Sequence, residues 1–568
     1  MHLLKDYSLL WAEAGVLLLG FILVLFAPGL LTSAFHPLWR IGVRIGRDSR
    51  VAWAFAFAAP LVLRLLAWPI HKFPAPTVQD EFSYLLMADT FASGRLTNPA
   101  HPMWIHFETM HVLQHPTYAS IYPVVQGLFL ALGQVVARAP WLGVWLSVVL
   151  MCGTFYWALR AWMPPVWSLA GAALAAVRIG MFSYWMNSYC GGAPAAIGGG
   201  LVLGALPRVF RSQRTKDALL LAFGMVVLAN SRPYEGFFFC LPVVVVLLAW
   251  ILGANDFCRW FGFKPRAKTD FPSILRRVVA PMLLVLMLAG IAMMYYFWRV
   301  TGDPLKMPYV ANSEQYSVTP LFVWQKLKPA PHYNNETLQY FYTHWNTKKA
   351  SEHGRFVRYW CFYLGPALTP PLAMAWVAWS DRKMRFFLAL CAFISLALAI
   401  EWWALPQYAA PMTVALYALI LEGLRHLRAA IVRNRAGSRW RDLVPLVPAV
   451  IVAMIAVRAA MPALSIEPSP TWPSVWAAGG NGSSGRLQVQ NFLRNQPGKH
   501  LVLVRYVGHD NDESIHDEWV YNRANIDESR IVWARELDEE HNRKLIQYFK
   551  DRKIWLCSEN DCTPVTVN

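Results

Sequence analysis

Apolar runs long enough to cross about 30 Å of hydrocarbon as a helix recur along almost the whole chain. Between them lie short, mostly basic connectors and three longer polar stretches, 71–140, 298–357 and 462–568. The pattern predicts about twelve spanning helices, at 12–31, 52–70, 141–159, 166–186, 190–206, 218–231, 236–254, 278–297, 358–379, 386–403, 407–424 and 443–461. Segment 122–136 is apolar enough for one more span. Counting it would move several basic connectors across the membrane, so it reads as an interfacial helix.

Charge sets the orientation. Arg40, Arg44, Arg47 and Arg50, the group Arg208, Arg211, Arg214 and Lys216, the group Arg382, Lys383 and Arg385, and the basic stretch 425–441 all fall in connectors on one side. An excess of Lys and Arg marks that side as cytoplasmic. The three long stretches then lie outside, together with the short turns 187–192, 231–236 and 406–408. The chain is therefore expected as a multi-pass protein of a bacterial inner (plasma) membrane, among membrane lipids.

Composition agrees: 56% of 568 residues are hydrophobic and 27 are Trp, more apolar surface than one soluble core needs. The net charge of +18 sits in the connectors, so it reads as topology, and no nucleic-acid partner is expected. Arg64, Arg178, Arg299 and Arg458 fall in or near apolar runs, where charge is expensive. Snorkelling at span ends suits most of them, while Arg64 and Arg178 could line an internal cleft.

The expected fold is an all-α polytopic membrane domain, residues 1–461, with about twelve transmembrane helices plus interfacial helices. A Pro/Ser/Gly-rich linker, 462–485, leads to a small α/β domain, 486–568, expected in the periplasm. Helical and strand patterns alternate there over 487–493, 501–506, 531–533, 539–549 and 554–556. Six cysteines from Cys152 to Cys391 sit in or beside apolar runs and read as packing. Cys557 and Cys562 form a C-x4-C pair that an oxidising compartment would permit to close.

The most informative stretch follows the second span. Asp80 and Glu81 open it, and apolar residues at 82, 85, 86 and 91 then give one face of an amphipathic helix. By itself Asp80 reads as a helix cap. However, an Asp-Glu pair at the end of an early span, an aromatic soon after, an Ala-containing helix and a G-x-x-x-x-P exit from Gly94 to Pro99 form a recognisable combination. It resembles the first outer loop of the C-type glycosyltransferase (GT-C) fold. It is similar to protein O-mannosyltransferases and lipid A aminoarabinose transferases, and more closely to the bacterial polytopic enzymes grouped with rhizobial lipopolysaccharide core transferases. The likeness covers roughly residues 50–425 and leaves the tail unassigned.

The resemblance implies a membrane glycosyltransferase with a polyprenyl-phosphate sugar as donor and a glycolipid, polysaccharide or protein of the cell envelope as acceptor. Asp80 takes the place of the catalytic base, and Glu81 orients the acceptor or binds a cation. Inverting transfer is an in-line displacement at the anomeric carbon and needs a carboxylate opposite the leaving phosphate. The segment from His115 to Gly127 stands where the family has a Pro-rich turn, with Val124 in place of the second Pro. Tyr84, His115, Tyr118, Tyr122 and Gln126 are candidates to face substrate.

A leaving phosphate needs a cation at the outer boundary. Arg232, in the turn Ser231-Arg-Pro-Tyr-Glu-Gly236, stands where relatives carry Lys or Arg, although a snorkelling anchor would look the same. Tyr234 and Glu235 adjoin it, and Gln407 and Tyr408 resemble the family's late P-H-Y-like turn. Asn187 and Tyr189 lie in another outer turn with Gly191 and Gly192, whose amides could approach a ligand or whose missing side chains could serve packing. The irregular loop 298–357 carries Lys306, Tyr309, Asn312, His332, Tyr333, Asn334, Asn335 and His344, residue types suited to carbohydrate. Its sequon at Asn335 carries no function in a bacterial setting.

His101, His106, His111 and His115, with Glu108 among them, invite a metal reading, but spacings of five, five and four match no compact ligand motif. Structural or acceptor-contacting histidines are one reading; a divalent cation held by Asp80, Glu81 and His106 is the other, and no further cofactor is implied. A polytopic transporter and a non-catalytic scaffold that binds lipid carrier in an envelope export system are the competing functions. Transporters place charged sites near the bilayer midplane, whereas here carboxylates and aromatics gather in unequal outer loops.

Overall fold

The computed structural model describes residues 8–265, 271–347, 355–374, 379–403, 405–433, 438–464, 466, 475–477, 485–506, 518–558 and 561–565. Among them, eight helices are long and apolar enough to cross a membrane: Ser8–Phe26, Ser49–Leu66, Trp141–Leu159, Ala193–Ser212, Pro233–Ile251, Phe271–Thr301, Arg382–Ile400 and Trp440–Ala460. The chain is a multi-pass membrane protein.

The other four expected spans take different forms. Residues 166–186 give only the helix Pro165–Arg178, and 218–231 give the 15-residue Thr215–Ala229. Residues 358–379 break into Arg355–Tyr363 and Gly365–Ala373, because Gly365 takes a left-handed φ of 58° and Pro366 follows it. The last, 407–424, enters through the 3-10 turn Pro406–Met412 and continues as Thr413–Arg433, which is long enough but carries Glu422, Arg425 and Arg428. The segment read as interfacial forms the short helix Val124–Ala137.

At the centre lies Ala193–Ser212, almost wholly buried. Small residues on this helix let its neighbours approach: a Cβ on Gly199 would stand 2.0 Å from the Pro411 carbonyl oxygen. Arg64 is buried. It closes its own helix end, donating to the carbonyls of His71 and Lys72 at 2.7 and 2.8 Å. Arg178 is buried beside Glu13, 3.7 Å away, and Glu13 also accepts from the Trp476 indole and the Ala367 amide.

The outer stretches are knitted into one body. Asn98–Pro99, Val112–Leu113 and Thr117–Ser120 form a small antiparallel sheet beside the acidic helix Gln79–Ala92. The described residues of the loop 298–357 are more regular than its sequence suggests, with helices Pro308–Tyr316 and Glu336–Tyr340. Glu108 binds it to the first loop, accepting from Tyr316 at 2.7 Å and Asn334 at 3.0 Å. Asn335 caps the second helix through the Leu338 amide.

In the tail, strands stand in the order Ile531–Arg535, His500–Val504, Lys553–Cys557, Cys562–Pro564, the first three parallel and the last antiparallel. Helices Gly485–Arg494 and Glu539–Tyr548 accompany them, so the elements fall where the alternating pattern puts them. Cys557 and Cys562 are joined as a disulfide, and the remaining six cysteines are free. Most of the linker expected at 462–485 lies outside the described residues.

The tail shares a core with the first outer loop. Phe82, Leu86, Phe107, Val112 and Tyr118 pack with Leu501, Tyr521, Val532 and Leu545, among others. Phe82 stacks on Tyr521 with centroids 4.5 Å apart. Asp89 accepts from the Arg523 guanidinium at 2.6 Å and from the Ala524 amide at 2.8 Å.

Candidate functional site

The acidic helix starts at a residue, Val78, whose side chain cannot cap it. Glu81 supplies the cap by reaching back from the third helical position to accept from the Thr77 and Val78 amides at 2.8 and 3.2 Å. Its second oxygen accepts from the Tyr189 amide at 2.9 Å. Burial raises the pKa of Glu81, opposed by these amides. Glu81 is thus turned into the protein and ties two outer segments together.

With the cap supplied by Glu81, Asp80 is left for other partners. Its Oδ1 meets His111 Nδ1 at 2.7 Å and accepts from the Tyr122 hydroxyl at 2.5 Å. Among the described residues it takes no backbone hydrogen bond. Burial alone would raise its pKa, but the bond and charge of His111, the Tyr122 hydroxyl and the charge of Arg232 outweigh that, and the net shift is downward. The group is not sealed off: the side chains of Asp80 and His111 keep 18% and 20% of their exposure.

His111 holds this position at some cost. Its φ is +60°, a left-handed conformation that costs a non-glycine residue roughly 1–3 kcal/mol. Tyr122 is fixed from the other side by a stacked Tyr84, 4.4 Å between centroids. Arg232, the N-cap of Pro233–Ile251, lies over the Tyr408 ring at 4.4 Å. Its guanidinium makes no hydrogen bond among the described residues, while its charge acts on Asp80, Tyr84, Tyr122 and the buried Glu235. The charge of Arg232 therefore acts on a partly open carboxylate, with the rings of Tyr84, Tyr122 and Tyr408 about the two groups.

The other sequence candidates are distributed as follows. Gln407 accepts from Tyr184 at 2.6 Å, beside Tyr408, and Tyr234 donates to the Ala397 carbonyl. Gln126 donates to the Tyr189 carbonyl at 2.7 Å, and Tyr189 donates to that of Pro74. Asn187 donates to the carbonyls of Met181 and Ser183. A Cβ on Gly191 would stand 2.5 Å from Gln126, and one on Gly192 would stand 2.2 Å from Trp185, so packing accounts for the paired glycines. Tyr118 bonds the tail at Asn522, and His115 is exposed against Trp104, so neither joins Asp80.

The histidines separate rather than converge. His101 meets Asp527, His106 meets the carbonyls of Arg535 and His541, and only His111 reaches Asp80. Among the described residues no three of His, Cys, Asp or Glu group as metal ligands, so Asp80, Glu81 and His106 do not come together as a cation site. Residue spacing pointed to the histidine-bearing loop but not to His111 over its neighbours, because its backbone turn has no glycine or asparagine to announce it.

No protein-family model and no curated protein matches the chain. Among solved structures it is similar to ArnT from Cupriavidus metallidurans bound to undecaprenyl phosphate, at 14% identity and a TM-score of 0.46, over 89% of this chain and 93% of that one. It is also similar to the Archaeoglobus fulgidus oligosaccharyltransferase AglB in complex with an inhibitory peptide and a dolichol-phosphate, at 10% identity and a TM-score of 0.42, over 89% and 69%. Both are membrane glycosyltransferases of the GT-C fold.

Proposed function

We propose that the chain is a membrane glycosyltransferase that moves a sugar from a polyprenyl-phosphate donor to a hydroxyl of a cell-envelope acceptor, on the membrane face that bears Asp80. The observation that carries this reading is a partly open Asp80 carboxylate within the influence of the charge of Arg232, whose guanidinium lacks a hydrogen-bond partner among the described residues.

In the proposed step the acceptor oxygen bonds to the anomeric carbon as its proton passes to Asp80. The bond from that carbon to the phosphate oxygen breaks, its electron pair leaves with the phosphate, and configuration inverts. Arg232 meets the charge that builds on the leaving group, in a site dry enough to strengthen the interaction. His111 and Tyr122 orient the carboxylate. Glu81 is a positioning residue that fixes the start of the helix, and Tyr408 holds Arg232 by its ring face. Charged residues buried among the helices give the transporter alternative little support, since Glu13 and Arg178 are committed to each other and to neighbouring protein groups.

The test is donor consumption. The full chain in nanodiscs is mixed with labelled undecaprenyl-phosphate sugars and an envelope extract, and labelled product is followed. One donor is expected to be consumed, with Arg232→Met slowing turnover about 100-fold or more and Arg232→Lys recovering part of the loss. If no lipid-phosphate sugar is consumed, or Arg232→Met is as fast as the parent, the reading is wrong.

A further inference from the structure

On the membrane face opposite Asp80, a cleft of about 770 Å³ opens between the ends of several helices. Cations dominate its polar wall: Arg160, Arg211, Lys264, Lys383 and Arg425, against a single acid, Asp381. Trp162 and Phe263 are among its lining residues, both largely buried, with ring centroids 5.5 Å apart and the Trp162 indole donating to the Leu203 carbonyl at 2.8 Å.

Three of the cations are anchored. Arg211 donates to the Ala161 carbonyl at 2.7 Å and Arg160 to that of Met163 at 3.3 Å, so both flank the turn at 160–163. Arg425 is occupied by Glu422 and lies 3.8 Å from Asp381. Asp381 is itself the cap of Arg382–Ile400, accepting from the Lys383 amide at 2.9 Å. The ammonium groups of Lys264 and Lys383 make no hydrogen bond or ion pair among the described residues, and both side chains are exposed.

Orientation by charge explains why cations lie on this face but not why they converge on a concave wall that also holds aromatic rings. Charges serving topology alone can stand anywhere along the connectors, as Arg40, Arg44 and Arg47 do, exposed on Leu30–Arg47. Cations held at several points around a cavity, with two ammonium groups left over, match the charge and donor needs of a phosphate.

We propose that this cleft is a phosphate-binding site, separate from the Asp80 site, that takes the anionic phosphate of either a phospholipid headgroup or a soluble phosphorylated compound. Lys264 and Lys383 supply the mobile contacts, Arg160 and Arg211 the fixed ones, and Trp162 and Phe263 pack against whatever carbon the phosphate carries.

The test compares the full chain with K264Q/K383Q and with R40Q/R44Q, which removes equal charge from the same face outside the cleft. Thermal unfolding in phosphatidylcholine nanodiscs first confirms that all three fold alike. Two probes follow: inorganic pyrophosphate titrated into phosphatidylcholine nanodiscs, and retention of phosphatidylglycerol from mixed nanodiscs measured by native mass spectrometry. At least one probe is expected to bind the parent, and K264Q/K383Q to lose affinity on the order of tenfold while R40Q/R44Q stays within about twofold. Binding of pyrophosphate assigns a soluble ligand, and binding of phosphatidylglycerol alone assigns a headgroup. If neither probe binds, or if R40Q/R44Q weakens binding as much as K264Q/K383Q, there is no such site.

Discussion

At the scale of single residues, two neighbouring carboxylates do different work. Glu81 spends its oxygens on the Thr77, Val78 and Tyr189 amides, whereas Asp80 faces His111 and Tyr122. Because the pKa of Asp80 is depressed, its carboxylate stays ionised until the pH falls below the ordinary value of about 3.9. The rate of transfer should therefore show no acid limb from this group between about pH 8 and pH 5. An inflection near pH 6 that disappears in Asp80→Asn would contradict this. His111→Asn keeps a side chain that tolerates positive φ and is expected to fold normally while slowing transfer about 10- to 100-fold. Measuring its unfolding midpoint beside its turnover separates that role from a structural one. The sequence displayed the acidic pair plainly, but not which member was free, since that depends on Val78 being unable to cap and on Tyr189 arriving from 108 residues away.

Among the elements, the acidic helix is held between two bodies. Its inner side meets the membrane domain through Tyr84, and its outer side meets the tail through Phe82 and Asp89. Periodicity revealed the apolar stripe but could not say which partner would cover Phe82 and Leu86, because the tail residues that pack on them lie more than 400 positions on. The same gap left His106 in a supposed cluster when it is a contact to the tail. Burial lowers the pKa of His106. The undocked ring, at about 6.5, takes its proton first, so docking is fully supported above that pH and weakens as pH falls toward the depressed value. Protection factors for hydrogen exchange across 531–545 should accordingly fall between pH 7 and pH 5, and less so in His106→Gln. Within the tail, Arg535 and Glu518 form a pair 2.7 Å apart with 4% and 2% of their side chains exposed. Arg535→Ala leaves Glu518 buried without its partner, and the domain should lose about 3–5 kcal/mol in denaturant unfolding. An unchanged midpoint would show that Glu518 finds other compensation.

For the whole molecule, charge and length were enough to put the outer loops on one face and to find eight membrane-length helices. Of the four remaining expected spans, two form the shorter helices Pro165–Arg178 and Thr215–Ala229, one breaks at Gly365 and Pro366, and one enters through the 3-10 turn Pro406–Met412. The tail emerges as a lid of the outer loop instead of an appendage, since removing it would bare Phe82, Leu86, Phe107, Val112 and Tyr118 together. Deleting 486–568 should leave membrane insertion intact yet lower transfer tenfold or more, because small shifts of a positioned base are costly, on the order of 100-fold per Å. Full activity in the truncated protein would detach the tail from the site.

The central claim is that Asp80 accepts the proton of the attacking hydroxyl. Its most direct measurement is single-turnover transfer of labelled sugar by the parent and by Asp80→Asn, at matched donor occupancy and matched thermal stability. A loss of about 100- to 10,000-fold in rate is expected, with donor affinity retained. Transfer by Asp80→Asn at the parent's rate would contradict it.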